Sequence, residues 1–187
     1  MRMQLAMRVA LAALAVAVAS CGPPYATPPG GGATAAESAL ASAVFQQVES
    51  YRRSHGGGVL LRHHGLDGLA RRHSEFLRAN QGKLSVNGPN LCHYGIEQRT
   101  LAAQCLYQIN SIGENLARLN ASSPAAAPAI LKLWVNSPAH ERNLRNDWTI
   151  SGIGVAITDN GTALVTQIFG TRPSSSHTDM RARLRQH

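Results

Sequence analysis

Two apolar runs, residues 150–158 and 163–169, are separated by Asn160-Gly161 in the last third of the sequence. Both runs are rich in Ile, Val and Ala, which favours strands over loops. An Asn-Gly pair between two such runs is a strong signal for a tight hairpin turn. The sequence therefore predicts that an antiparallel hairpin closes the domain.

Helical periodicity precedes the hairpin. Apolar residues recur at spacings of three and four over residues 37–55 and again over 66–81, which predicts two amphipathic helices. Thr100 is expected to cap a short helix over 101–107, and residues 112–117 are expected to form a strand. Helices, a strand and a terminal hairpin together indicate an α+β fold, a three-layer α-β-α sandwich with an antiparallel sheet.

A further helix is predicted around Trp134, in the apolar stretch that begins at Ile130 and follows a small-residue linker over 122–129. Pro138 should end this helix near Ser137, because its ring disfavours a helical conformation in the preceding residue. The arrangement presents His140 at the surface, beside a buried tryptophan anchor.

The N-terminal residues are typical of an exported lipoprotein. Arg2 and Arg8 precede an apolar run that is too short for a permanent membrane span, and residues 18–20 are small residues before Cys21. This resembles a bacterial lipobox, in which the cysteine is acylated, for example with palmitate. We expect a signal peptide at 1–20, a Pro/Gly-rich flexible linker at 21–35, a domain at 36–171 and a disordered basic tail at 172–187. An ordinary cleaved signal is the alternative.

Three cysteines occur in the chain. If Cys21 carries lipid, Cys92 and Cys105 remain as a pair in an oxidising compartment, where a disulfide persists. Such a bond would stabilise the domain by about 2–4 kcal/mol. The alternative is two buried free thiols.

The charge is basic but does not indicate a nucleic-acid partner. Removing Arg2 and Arg8 from the 18 basic side chains leaves 16 against 10 acidic ones, a net charge of +6. An exported protein does not normally meet chromosomal DNA, so we interpret these charges as solvated helix faces or an attraction to anionic envelope material. We expect a monomer without a nucleic-acid partner.

Several short motifs, in this order, resemble one protein family. They lie at Tyr51-Arg52, His55-Gly56, 70–74, 93–95, 113–117, 134–140, 143–144, 151–155 and 167–170. Across residues 39–170 the sequence is similar to the SCP-like extracellular domain of the CAP superfamily (cysteine-rich secretory proteins, antigen 5 and pathogenesis-related 1 proteins), in its short bacterial form. The resemblance implies an α-β-α sandwich.

The resemblance also implies a cleft with two histidines and two acidic residues. His93, Glu114 and His140 match three of these positions, and the fourth, an acid in longer members, is Ser137 here. The supporting residues of the cleft would be Asn115, Trp134, Ser137 and Asn143. Glu141 adjoins His140 but should point elsewhere.

The chemistry of this residue set leaves two interpretations open. His93 and His140, with Glu114, could bind Zn²⁺ and leave a coordination position for water. Alternatively, Glu114 accepts hydrogen bonds and orients the cleft without a metal. The segment that starts at His140-Glu141 resembles a metalloprotease helix but has Leu144 where the second ligand must be.

Three functions are therefore considered. The first is a lipid-anchored, non-enzymatic module of the bacterial envelope (outer or plasma membrane) that binds a lipid, peptide or envelope component, as the resemblance to lipid and sterol binders suggests. The second is a structural envelope protein whose cleft is only a polar part of the core. The third is a metal-assisted hydrolase that uses His93, Glu114 and His140. His73, on an apolar helix face, is expected to be a core histidine.

Overall fold

The computed structural model describes residues 32–81 and 92–172. The predicted signal peptide, Cys21, most of the linker and nearly all of the basic tail lie outside the described residues. Helices α1 (Ala35–Ser54) and α2 (His64–Ala79) flank a short strand, β1 (Leu61–Arg62). Helix α3 (Ile96–Tyr107), strand β2 (Ser111–Leu119), a 3-10 turn (Pro124–Ala126) and helices α4 (Ala127–Val135) and α5 (Pro138–Arg145) follow. Strands β3 (Ile150–Ile157) and β4 (Ala163–Thr171) end the domain.

The four strands form one sheet in the order β1-β3-β4-β2. The predicted β3–β4 hairpin is confirmed, and Gly161 in its turn has φ +77°. The sheet is mixed and not purely antiparallel as predicted, because β1 pairs in parallel with β3. Strand β1 has only two residues, which is too short for a periodic signal, and the sequence did not predict it.

Helices cover both faces of the sheet, as the predicted three-layer sandwich requires. One face buries Trp134, Ile130 and α1 against β3 and β4, and the other buries Leu66 and Ala70 of α2. Strand β3 can approach α2 closely because Gly152 and Gly154 have no side chain. A Cβ at either position would overlap the helix backbone. No helix in the described part of the chain is long and apolar enough to cross a membrane.

Several boundaries differ from the predictions for local reasons. Helix α1 begins earlier, because the Thr34 side chain accepts a hydrogen bond from the Glu37 amide and the Glu37 carboxylate accepts one from the Thr34 amide, forming a capping box. Helix α3 also begins earlier, after Gly95 at φ +76°, so Thr100 lies inside it and does not cap it. The predicted small-residue linker is the 3-10 turn and the start of α4.

The predicted disulfide between Cys92 and Cys105 is wrong: both cysteines are free. Cys92 is half-buried and packs against an apolar cluster of Leu77, Leu116 and Leu164. Cys105 is exposed on α3. The side chain of Cys92 is therefore part of the core packing, whereas that of Cys105 is on the surface.

Candidate functional site

The sequence-predicted site lies at β2, which is an edge strand of the sheet. Successive residues of a strand point to opposite faces. Glu114 accordingly contacts α2 and α3 on one face, while Asn115 contacts α5 on the other. His93 lies just before α3, and His140 lies in the first turn of α5. We call His73, His93, Arg99, Glu114 and His140 the His–Glu cluster.

Glu114 is held by an arginine that the sequence analysis did not identify. Arg99 Nε donates to Glu114 Oε2 at 2.7 Å, and Arg99 Nη2 donates to Oε1 at 2.7 Å. His93 Nδ1 donates to the same Oε1 at 2.8 Å. The Arg99 and Glu114 side chains are only 3% and 2% exposed. This is a buried, bidentate ion pair, the strongest geometry for an arginine and a carboxylate.

The pKa of Glu114 reflects these contacts. Burial by itself would raise the pKa of the carboxyl group, because it disfavours the charged form. The hydrogen bond from His93 and the positive charge of Arg99 outweigh that effect, and the pKa of Glu114 lies below its ordinary value. Glu114 is therefore a carboxylate at neutral pH.

His73 is a buried, neutral member of the cluster, as expected for a core histidine. Its Nδ1 accepts a hydrogen bond from Arg99 Nη1 at 3.0 Å, so its Nε2 carries the proton and donates to the Cys92 carbonyl at 3.0 Å. Burial, and after it the charge of Arg99, lowers the pKa of His73 to about 4. This imidazole is fixed in one tautomer by its neighbours.

His93 and His140 are the members of the cluster that reach solvent. The His93 side chain is 51% exposed, and because its Nδ1 donates to Glu114, its Nε2 is an acceptor in the neutral ring. His140 is half-buried, and both burial and the nearby His93 lower its pKa. The structure thus places the two predicted histidines within electrostatic reach of each other.

Asn115 and Asn143 join β2 to α5. Asn143 Nδ2 lies 3.2 Å from the Glu114 carbonyl and 2.9 Å from Asn115 Oδ1, and donates to these acceptors. Asn115 Nδ2 in turn donates to the His140 carbonyl at 3.1 Å. The two amides position the helix that carries His140, which gives the predicted supporting residues a structural role.

Two tryptophans complete this support. Trp134 is fully buried and its Nε1 donates to the Leu116 carbonyl at 2.9 Å, so α4 is anchored on β2. Trp148 Nε1 donates to the Asn143 carbonyl at 3.0 Å. A Cβ at Gly113 would lie 2.7 Å from the Trp148 ring, so a larger residue does not fit beside Glu114.

Ser137 and Glu141 lie outside the hydrogen-bond network of the His–Glu cluster described above. Ser137 precedes α5, and its side chain makes no capping hydrogen bond. Pro138 does end α4 as predicted, but it also starts α5, where proline is well tolerated. Glu141 accepts from the Tyr51 hydroxyl at 3.0 Å, so it points away from the site, as expected.

The residues do not fit a three-ligand metal site. Both oxygens of Glu114 accept hydrogen bonds from Arg99. The position at which the resemblance implies a second acid is Ser137 here, which has no carboxylate. Within residues 32–81 and 92–172, no three His, Cys, Asp or Glu side chains are grouped so that they could hold a metal ion. His93 and His140 remain as a pair of nitrogen donors without an acidic partner that is free to coordinate.

Arg52 belongs to one of the motifs that carry the family resemblance, but the sequence did not predict its structural role. It is 2% exposed, and Nη1 donates to the carbonyls of Leu144 and Asn146 at 2.6 and 2.8 Å. Its Nη2 lies 3.3 Å from the Trp148 carbonyl. Arg52 therefore ties the end of α1 to the segment that positions Trp148.

The sequence contains a helical spacing that could have identified Arg99 as a buried residue. Arg99, Ala102 and Ala103 are spaced as one face of a helix, and all three are buried in α3. Because the predicted helix began only after Thr100, Arg99 was not considered as an inward-facing residue.

A groove of about 230 Å³ lies elsewhere, between α1, α2 and the edge of β3. Two carboxylates accept hydrogen bonds from the amides of that edge: Asp67 from Ile153 at 2.8 Å and Glu37 from Ile157 at 3.0 Å. Charged side chains at a strand edge discourage pairing with a further strand. No residue of the His–Glu cluster lines this groove.

Comparisons with known proteins find solved structures with a similar fold. The sequence matches no protein-family model and no curated protein. The structure is similar to an outer surface protein from Borrelia burgdorferi, with a TM-score of 0.57 and 17% identity over 72% of this chain and 93% of that one. It is also similar to an extracellular SCP-domain protein from Bacillus anthracis, with a TM-score of 0.53 and 26% identity. A cysteine-rich secretory protein from Staphylococcus aureus gives a TM-score of 0.54 and 13% identity.

These similarities define an SCP-type domain. The chain has the fold of the CAP superfamily, and the resemblance found in the sequence is confirmed. The matches cover 76% and 75% of this chain but only 45% of the Bacillus anthracis chain and 40% of the Staphylococcus aureus chain. The likeness therefore concerns the domain and not the whole of those two proteins.

Proposed function

We propose that the chain is an exported, non-enzymatic binding module that holds a lipid, peptide or other component of the cell envelope at His93 and His140. The observation that carries this proposal is the way Glu114 is used. Its two oxygens accept three hydrogen bonds, two from Arg99 and one from His93. A carboxylate in this state orients an imidazole and leaves the opposite ring nitrogen of His93 facing a ligand.

Hydrolysis with Glu114 as the general base is disfavoured by the same contacts. A general base needs a lone pair within reach of the proton it removes and a pKa near the operating pH. Glu114 has its oxygens engaged and its pKa lowered. Ser74, a serine close to a motif histidine in sequence, is fully buried, with its hydroxyl 3.1 Å from the Gly154 carbonyl and 2.9 Å from the Thr166 hydroxyl. That hydroxyl packs α2 on the sheet and is not presented to a substrate.

The proposal of export rests on the N-terminal sequence and on the similar proteins, whereas that of a lipid anchor rests on the N-terminal sequence alone. The Borrelia burgdorferi protein is described as an outer surface protein and the Bacillus anthracis protein as extracellular. We place this chain in the envelope for the same reason, with acylated Cys21 as its membrane anchor. The SCP-type domain then faces the periplasm or the exterior, where envelope lipids and peptides are its ligands.

The experiment compares what co-purifies with the full chain and with a His93→Ala/His140→Ala variant. Bound compounds are extracted with organic solvent and analysed by mass spectrometry. The control is a His55→Ala/His64→Ala variant, which removes two exposed imidazoles outside the His–Glu cluster.

We expect a compound that is present with the wild type and the control and depleted at least about tenfold with the cluster variant, which corresponds to a loss of about 1.4 kcal/mol of binding free energy. Identical extracts from all three proteins, with only the thermal stability of the cluster variant lowered, would instead favour a structural envelope protein.

A further inference from the structure

The His–Glu cluster already contains a cation. Arg99 reaches Glu114 from α3 and neutralises it inside the protein, where both side chains are almost fully buried. The chemistry of the residue set left zinc open as the cation that would bring the two histidines and the acid together. The two cations would compete for the same carboxylate oxygens.

Zinc binds a carboxylate oxygen at about 2.0–2.2 Å, through the lone pairs that accept hydrogen bonds in its absence. Arg99 donates to Oε1 and to Oε2, both at 2.7 Å, and covers one whole side of the carboxylate. A metal ion at Glu114 would therefore have to displace the guanidinium or lie close to its positive charge.

Arg99 is not free to move aside. Its Nη1 also donates to the Tyr94 carbonyl at 2.9 Å and to His73 Nδ1 at 3.0 Å. Displacing the group would leave a buried positive charge without its carboxylate, and buried charges are costly unless they are paired. The Tyr94 carbonyl and the His73 ring therefore fix the guanidinium of Arg99 in its position beside Glu114.

We infer that Arg99 takes the place of a metal ion in this domain, so that the His–Glu cluster is organised and binds its ligand without a divalent cation. His93 is oriented by the Arg99-bound carboxylate, through its Nδ1, and needs no metal for this. The inference deepens the proposed function. Its part on ligand binding rests on that proposed function, whereas its part on zinc does not and has its own tests.

The first test titrates the wild-type full chain with zinc and follows the Arg99 Nε–H signal by nuclear magnetic resonance. We expect this signal to keep its position up to millimolar zinc, because the bond to Glu114 Oε2 persists. A shift that saturates at one equivalent of zinc would overturn the inference. This test needs no variant.

The second test measures zinc affinity by calorimetry for the wild type, Arg99→Met and the control Arg118→Met, which removes a positive charge from the same strand as Glu114. Arg99→Met releases the carboxylate toward His93 and His140. We expect it to tighten zinc binding at least about tenfold, within the range that changes in the partners of metal ligands produce. Adding His93→Ala to Arg99→Met should abolish the gain.

If Arg99→Met does not fold, Arg99→Met/Glu114→Gln replaces the buried pair by neutral side chains of similar size. This variant should bind zinc no more tightly than the wild type, because it still lacks a third ligand. Tight stoichiometric binding by the wild type that is lost in this double variant would contradict the inference. Failure of the envelope-ligand experiment with all these zinc results intact would refute the proposed function alone.

Discussion

The buried imidazole of His73 makes a specific prediction about acid stability. The pKa of His73 is about 4 in the folded protein, against about 6.5 for an exposed histidine in the unfolded chain. The unfolded state therefore binds a proton as the pH falls below about 6.5, while the folded state does not until about pH 4. The contribution of neutral His73 to the free energy of unfolding is therefore fully present above pH 6.5 and is lost as the pH falls toward 4.

The size of the effect follows from the shift. A difference of about 2.5 pKa units corresponds to about 3 kcal/mol, with a slope of at most about 1.4 kcal/mol per pH unit. The His73 side chain has no exposure to solvent, so screening by water does not reduce this value much.

Urea denaturation at pH 7.5 and 4.5 measures the contribution of His73 to the free energy of unfolding, with His73→Gln as the comparison. Glutamine keeps a donor for the Cys92 carbonyl and an acceptor for Arg99, but it does not titrate. The wild type should lose about 2–3 kcal/mol more than His73→Gln between these two pH values. His63 and His140, whose pKa values are also lowered, contribute equally to both proteins. Equal losses in the two proteins would refute the reasoning.

Three further predictions concern packing and buried charge. Arg99→Met and Glu114→Gln should each lower the unfolding free energy by about 3–5 kcal/mol, and the double variant by less than the sum, since a lone buried charge costs more than the absence of the pair; a double-mutant cycle in urea measures the coupling. Arg52→Met should lower the unfolding free energy by about 3 kcal/mol, because it leaves the backbone carbonyls of Leu144 and Asn146 without their donor. Unchanged stability in calorimetric unfolding would contradict this. Gly154→Ala should destabilise by about 2 kcal/mol or more through overlap with α2, whereas the nearby Gly68→Ala has space and should not lower the melting temperature.

Much of the fold could be predicted because its signals are local. The Asn160-Gly161 turn and the apolar runs on either side specify the β3–β4 hairpin without reference to the rest of the chain. The spacing of Leu40, Val44 and Val48 likewise predicts α1, and all three side chains are fully buried. Strand β1 was missed because two residues carry no period, and its pairing with β3 depends on tertiary structure.

The candidate site could be predicted only in part. Motif positions indicated His93, Glu114 and His140, but the charge balance at Glu114 depends on Arg99, fifteen residues earlier and on a different element. No local pattern specifies that contact, because it forms only when α3 packs beside β2. The disulfide prediction failed for a similar reason. Cysteine number and compartment favour a bond, yet the environments of Cys92 and Cys105 are set by the fold.

The most direct test of the central claim, a metal-independent binding site at the His–Glu cluster, is to purify the full chain from the envelope with and without a chelator. Compounds extracted from the two preparations are compared by mass spectrometry, with the His93→Ala/His140→Ala variant as a reference. We expect the same bound compound in both wild-type preparations and its depletion in the variant. Loss of the compound on chelation, with recovery when zinc is returned, would contradict it.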